Sequence, residues 1–168
     1  KGKSMPQPHT LTVTTRGDNE LLITRHFNAP RQMVFDAHTR PELIKRWMTG
    51  PENWTLPVCE IDLKEGGKGR YVWHNTENGA DMGMTATYRE IDIPHRIVHE
   101  EMFDEDWTGG GTEITTTLEE DGEGTRMEMV IRCTSKEARD NILKSPMSDG
   151  MEQGYARLDR QLAESKAA

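Results

Sequence analysis

Between Trp54 and Cys133 apolar and polar residues alternate in six successive runs separated by turn residues, the period-two signature of β-strands. "TLPVCEIDLKE" turns at Gly66-Gly67, "GRYVWHN" turns near Asn78-Gly79, and "DMGMTATYREI" runs to Pro94. "RIVHEEMF" ends in the acidic, glycine-rich "DEDWTGGGT", "TEITTTLEE" turns at Asp121-Gly122, and "TRMEMVIRC" closes the set. Short turns without an interposed helix predict an antiparallel meander and exclude a parallel Rossmann-type sheet. Upstream, "LTVTT" (11–15) and "ELLITRHFN" (20–28) flank the turn residues "RGDN". They predict a hairpin or one interrupted strand.

The period changes twice. "PRQMVFDAHT" starts at Pro30, which suits a first helical turn, and carries an apolar stripe of Met33, Val34 and Ala37. Pro41 opens a second short helix, "PELIKRWM", that stops near Gly50-Pro51. After Cys133, "TSKE" has the form of a capping box from Thr134 to Glu137. A helix follows as far as Ser145-Pro146, which caps a longer last one. In that helix Met147, Met151, Tyr155, Leu158 and Leu162 recur at helical spacing and form one apolar stripe. Gly150 and Gly154 sit beside the stripe, each costing about 1 kcal/mol of helix propensity relative to Ala. A close approach to the helix backbone, by a strand, a bulky side chain or a ligand, is the expected compensation.

Strand alternation groups Tyr71 with Trp73, Met84 with Tyr88, and Met127 with Met129 on a wide face rich in methionine and aromatic residues. Ile97, Glu101 and Phe103 share a face of the "RIVHEEMF" strand. Such a face is either a packed core or the wall of a pocket for a small apolar molecule. A carboxylate at Glu101 on an internal face needs a partner, such as an arginine or a ligand donor. With that partner it becomes a ligand anchor or a base.

The 168 residues set the expectation of one domain over 11–168, with residues 1–10 as a disordered tail. Ten methionines and four tryptophans stand against three phenylalanines, a composition suited to an adaptable apolar interior. The net charge of -8 argues against nucleic acid and anionic membranes as partners. No apolar run exceeds three residues, too short for a membrane span; the expected location is the cytoplasm. Cys59 and Cys133 form no CxxC pair and are expected as buried thiols.

No catalytic motif stands out. The six histidines form no HxH, HExxH or Cys/His metal spacing. His99 and Glu101 share a strand face but lack a third metal ligand. "TGGGTE" (108–113) has no Walker lysine. No catalytic residue, metal or cofactor is assigned on these grounds.

The order of elements resembles the helix-grip arrangement of the START-like (SRPBCC) superfamily. Four stretches are similar to its branch homologous to the C-terminal domain of activators of the Hsp-ninety chaperone ATPase: "FNAPRQMVFDAHTRPELIKRW" (27–47), "VCEIDLKEGGKGRYVW" (58–73), "YREIDIPHRIVHEEMFD" (88–104) and residues 124–159. The sequence departs from that branch at Met48-Thr49 and at Lys64-Glu65, near the expected pocket mouth and first sheet turn, so ligand identity does not carry over. The resemblance implies an α+β helix-grip fold, with a curved antiparallel sheet around a long C-terminal helix and a cavity between them. The expected function is binding of a small hydrophobic or aromatic molecule there. The expected lining is Trp47, Trp54, Tyr71, Trp73, Met84, Tyr88, Glu101, Phe103, Met127, Met129, Met151, Gly154 and Tyr155. Two other readings stand beside it. One is a chaperone-associated module with a protein partner. The other is a cyclase- or hydrolase-type enzyme using a buried acid–base pair such as Glu101 with His74. A monomer or homodimer suits all three.

Overall fold

In the computed structural model the described residues are 10–167; the sequence-predicted tail falls almost wholly outside them. The chain runs β1 (Thr12–Arg16), β2 (Glu20–Phe27), α1 (Arg31–Thr39), α2 (Pro41–Trp47), β3 (Trp54–Ile61), β4 (Lys68–Asn75), β5 (Asp81–Asp92), β6 (Arg96–Phe103), β7 (Thr112–Asp121), β8 (Gly124–Cys133), α3 (Lys136–Lys144) and α4 (Met147–Ala167). The strands form one eight-stranded antiparallel sheet in the order β1-β2-β8-β7-β6-β5-β4-β3. The six-strand meander is present, and the first two strands form a hairpin whose second member pairs with β8. Edge strand β3 carries Pro57 within a register shift between Thr55 and Val58, a position where a missing N–H breaks no ladder.

Alternation sends one face of the sheet toward the helices. Leu21, Ile23, Arg25 and Phe27 of β2 lie there, in register with Ile131, Met129, Met127 and Thr125 of β8. The same rows continue across β7 through Ile114, Thr116 and Leu118. Farther along, Glu101 of β6 faces Ala86 and Thr112, while His99 faces Tyr88 and Ile114.

Helix α4 crosses this inner face and is fastened in its middle and second half. Tyr155, Leu158 and Leu162 are buried among Phe27, Val34, Phe35, Leu118 and Met127. Arg157 donates to the carbonyls of Trp47 (3.2 Å) and Gly50 (2.8 Å), and Gln161 donates to that of Leu43 (3.3 Å). The carbonyls of Trp47 and Gly50, at and beyond the end of α2, have no helical partner, and Arg157 supplies their donors. The glycines answer to this packing. A Cβ at Gly154 would stand 3.3 Å from the Trp47 carbonyl oxygen and 3.5 Å from its indole. Of the groups the sequence offered, the one that approaches is a bulky side chain, Trp47 at the end of α2, together with its carbonyl, and not the sheet or a ligand. Gly150 meets only Pro51, at 3.9 Å, so no tight approach explains it.

The start of α3 also differs from expectation. Its N-cap is Ser135, whose Oγ accepts from the Ala138 N–H at 3.0 Å. The Thr134 hydroxyl donates instead to the Gly109 carbonyl at 2.6 Å, tying the "TGGG" loop to the helix entry. A hydroxyl one residue on from the expected cap provides the same acceptor.

Candidate functional site

The inner face divides into a sealed end, where Arg25 and the apolar side chains are buried although Glu152 and Asp159 reach the surface, and an open end. At the sealed end Arg25 is buried, and its guanidinium forks onto both carboxylates that α4 presents. Nε and Nη2 reach Glu152 at 2.9 and 3.0 Å; Nη1 and Nη2 reach Asp159 at 2.8 Å each. The guanidinium lies 4.9 Å from the Phe27 ring centroid and 5.6 Å from that of Tyr155, within cation–π range. Burial disfavours its charge, but the hydrogen bonds it donates to Asp159 and Glu152 outweigh that, and its pKa is raised. Glu152 also accepts from the Leu11 N–H at 2.8 Å. Burial opposes its ionisation, yet these donors hold its pKa below the usual range.

His38 lies at the same end, against Trp47 (5.1 Å between ring centroids), Phe27 and Tyr155. Its Nδ1 is 2.7 Å from the Val34 carbonyl, which makes Nδ1 the donor. Although the residue as a whole is half-buried, Nε2 is sealed from solvent and has no partner. Burial pushes the pKa of His38 down.

At the open end, several residues face the helix side yet remain partly accessible. The side chains of His99 and Glu101 are 17% and 20% exposed. Phe103, Met129 and Met151 are half-buried. His99 Nε2 donates to Glu101 Oε2 at 2.9 Å, while His99 Nδ1 is buried with no partner. Register brings the other polar groups close, since Tyr88 pairs with His99 and Ala86 with Glu101. All three tyrosines of the chain turn inward. Burial pushes each hydroxyl up: Tyr71 well above its ordinary value, Tyr88 to about 12, and Tyr155 higher still; the Glu101 charge adds to all three. Beside them burial raises the Cys59 thiol to about 11. These groups stay protonated at physiological pH, and the Tyr155 hydroxyl donates to the Met127 sulfur at 3.8 Å.

A row of aromatic rings leads from this cluster to the surface. Tyr71 and Trp73 stack at 5.7 Å, Trp73 and Phe103 at 6.4 Å, and Phe103 and Trp107 at 5.4 Å. Trp107 is 42% exposed. It sits on the loop that Asp106 folds by accepting from the Gly110 N–H and the Thr108 hydroxyl. Gly109, Gly110 and Gly111 all take positive φ, a run other residues accommodate poorly.

The sequence-predicted lining is thus spread over both ends. Trp47, Met127, Gly154 and Tyr155 lie in the sealed end, with Trp47 stacked on Tyr155 at 5.4 Å. Tyr71, Trp73, Met84 and Tyr88 are buried walls. Trp54, Glu101, Phe103, Met129 and Met151 retain access. His74 lies elsewhere. Its Nδ1 bonds Asp81 at 2.7 Å, and alternation along β4 puts it opposite Tyr71 and Trp73, so Glu101 pairs with His99 instead. Sequence reasoning placed His99 beside Glu101 but weighed the pair only as metal ligands. Arg25 and His38 were missed. Arg25 alternates with Ile23 and Phe27, and a lone cation in an otherwise apolar strand face was the available signal.

Among the described residues no group of three His, Cys, Asp or Glu side chains is placed to hold a metal ion. No helix among the described residues is long and apolar enough to cross a membrane. An open groove of about 560 Å³ is lined by Lys68, Thr85, Thr87, Glu100, Met102 and Arg132 on the outer face of the sheet, and also by Glu101, Thr112 and Cys133. Glu101 thus borders this groove as well as belonging to the inner cluster.

The sequence profile described as "Activator of Hsp90 ATPase homolog 1-like protein" matches residues 28–163. No curated protein sequence matches the chain. A crystal structure of a protein from Rhodobacter sphaeroides is 32% identical, with a TM-score of 0.87, covering 92% of this chain and 99% of that one. A protein from Nitrosomonas europaea shares the fold at 19% identity and a TM-score of 0.79, over 92% of this chain and 100% of that one. An AHSA1-like protein from Aeromonas hydrophila does so at 15% identity and a TM-score of 0.70, over 84% of this chain and 93% of its own.

Proposed function

The chain belongs to the activator of Hsp90 ATPase homolog 1-like family, and on that premise we propose that it binds a small apolar or aromatic molecule between the inner sheet face and the first half of α4. The observation that carries this reading is the partial exposure of His99, Glu101, Phe103, Met129 and Met151 on the helix side of the sheet. Methionine and aromatic walls with a few converging polar groups are what a small-molecule site requires.

Thermal shift and native mass spectrometry against apolar and aromatic metabolites test the proposal. A ligand at a hundredfold excess over its Kd stabilises the fold by about 2.7 kcal/mol. Binding that disappears in Phe103→Ala supports the site. A panel without a single stabilising compound counts against it.

One observation favours a second reading. The His99–Glu101 pair at 2.9 Å supplies an oriented acid–base couple beside neutral tyrosine hydroxyls, as the enzymatic alternative needs. Turnover lost in Glu101→Gln with ligand binding retained would support it. A chaperone-associated role rests on the family description alone; co-purification with the chaperone and stimulation of its ATPase are its test.

A further inference from the structure

We propose that the free edge of β1 is a self-association surface, and that its partner is a second copy of this chain paired antiparallel about Thr14. Strand β1 ends the sheet, and among the described residues no strand pairs with its outer edge. Such an edge offers a row of open N–H and C=O groups to any strand that lies beside it. The two edges of this sheet are not alike. β3 carries Pro57 and a register shift between Thr55 and Val58, both of which obstruct an added strand. β1 reads Thr12-Val13-Thr14-Thr15-Arg16, β-branched over its first four residues, without proline and in unbroken register with β2. The edge is also held in place. The Leu11 N–H donates to Glu152 at 2.8 Å, and the half-buried side chains of Leu11 and Val13 pack on the cluster of Ile23, Ile131 and Ile142. Association then orders little that is not already ordered.

Charge selects the occupant. The chain carries a net charge of -8, so two copies repel in most orientations. β1 is a neutral stretch of that surface, because its one charged residue, Arg16, is ion-paired with Glu20 at 2.9 Å. A strongly charged strand of either sign gains nothing here, whereas a second β1 meets no like charge. The symmetry fits as well. Residues directly opposite in an antiparallel pair project from the same face, and a two-fold centred on Thr14 uses all five residues of the strand. Thr12 then faces the partner's Arg16, Val13 faces the partner's Thr15, and Thr14 faces its own equivalent. The contact is isologous, and both helix layers fall on one side of a continuous sheet.

Five residues make a narrow seam, and the helix side widens it. Arg139 of α3 donates to the carbonyls of Gly17 (3.2 Å) and Glu20 (3.1 Å), which places its face of α3 toward the β1–β2 turn. Leu143 lies one turn on from Arg139, on the same helix face, and is 42% exposed. Half-buried Met147 packs on the same cluster as Val13. The neutral strand is thus bordered by apolar side chains, and a second copy would cover Leu143 and Val13 from both sides of the seam.

Sedimentation velocity of the intact protein over about a hundredfold range of concentration should show monomer passing reversibly to dimer. Thr14 is exposed, so replacing it leaves the core untouched and the Tm of the monomer unchanged. Thr14→Lys and Thr14→Glu each set like charges directly opposite at the two-fold, and each variant alone should stay monomeric. Mixed in equal amounts they should recover the dimer, since lysine then faces glutamate, a rescue that a merely weakened strand would not give. Leu143→Lys should weaken the dimer several fold. Thr55→Lys, an equal change of charge at an exposed position on the opposite edge, should leave it intact. A protein that stays monomeric over the whole range would overturn the proposal, and slow amide exchange in β1 would then assign the edge to another segment of the same chain. A dimer that survives both Thr14 variants, or two variants that fail to rescue each other, would equally overturn it.

Discussion

Replacing Arg25 by methionine should destabilise the protein by about 3 kcal/mol. The change keeps most of the side-chain stem but deletes a guanidinium that donates to Glu152 and Asp159 at 2.8 to 3.0 Å. Breaking a buried pair from one side costs about 3–5 kcal/mol, because the remaining charge loses its partner. Here the carboxylates left behind are 28% and 29% exposed. Water can reach them in part, which places the expected cost at the lower end. Their mutual repulsion, no longer bridged, acts in the opposite direction. For a chain of 168 residues a loss of about 3 kcal/mol corresponds to a fall of roughly 6–12 °C in Tm. Urea unfolding followed by circular dichroism measures it. The triple variant R25M/E152Q/D159N should recover most of the loss, since neutral replacement of a whole buried ion cluster is close to neutral in stability. The pH profile adds a signed check. The lowered pKa of Glu152 means its contribution is complete above the ordinary 4.5 and disappears as pH falls through the lowered value. Glu152→Gln should flatten that acid limb. A cost below about 1 kcal/mol for R25M, or no recovery in the triple variant, would refute the view that this cluster fastens α4 to the sheet.

Three further outcomes are expected. His38 takes up its proton more readily in the unfolded chain, near the ordinary 6.5, than in the fold; stability should be full above that pH and fall below it by up to about 1.4 kcal/mol per unit, a slope that His38→Phe should remove in pH-dependent unfolding. Gly154→Leu should cost about 1–3 kcal/mol by overpacking against Trp47, despite the better helix propensity of leucine, measured by denaturant midpoint. Cys59, buried with its thiol raised to about 11, should resist alkylation at pH 8 in the native protein and react on unfolding, read by mass spectrometry.

Most of the architecture was legible because period two and period 3.6 are local signals. The strand runs, the two proline-led helices and the stripe from Met147 to Leu162 each carry their own address. What escaped depends on which surfaces meet. Nothing in "DGMEQGY" says that the end of α2, and not the sheet, presses on Gly154. Thr134 and Ser135 are equally plausible caps in sequence, and the choice is made by a long-range bond from Thr134 to the Gly109 carbonyl. The partner of Glu101 was decidable in principle. His99 is two residues away on the same face, whereas His74 lies on the opposite face of its strand. Arg25 hid within an apolar run because its partners are 127 and 134 residues away.

The central claim is that a ligand enters between the inner sheet face and the first half of α4. Methyl NMR of the protein labelled at the methionine methyls, titrated with indole, tests it most directly. The account predicts concerted shifts at Met129 and Met151, which are half-buried at the open end, with little change at fully buried Met127. Shifts confined to Met102, which lines the groove on the outer face of the sheet, or an unchanged spectrum up to saturating indole, would contradict it.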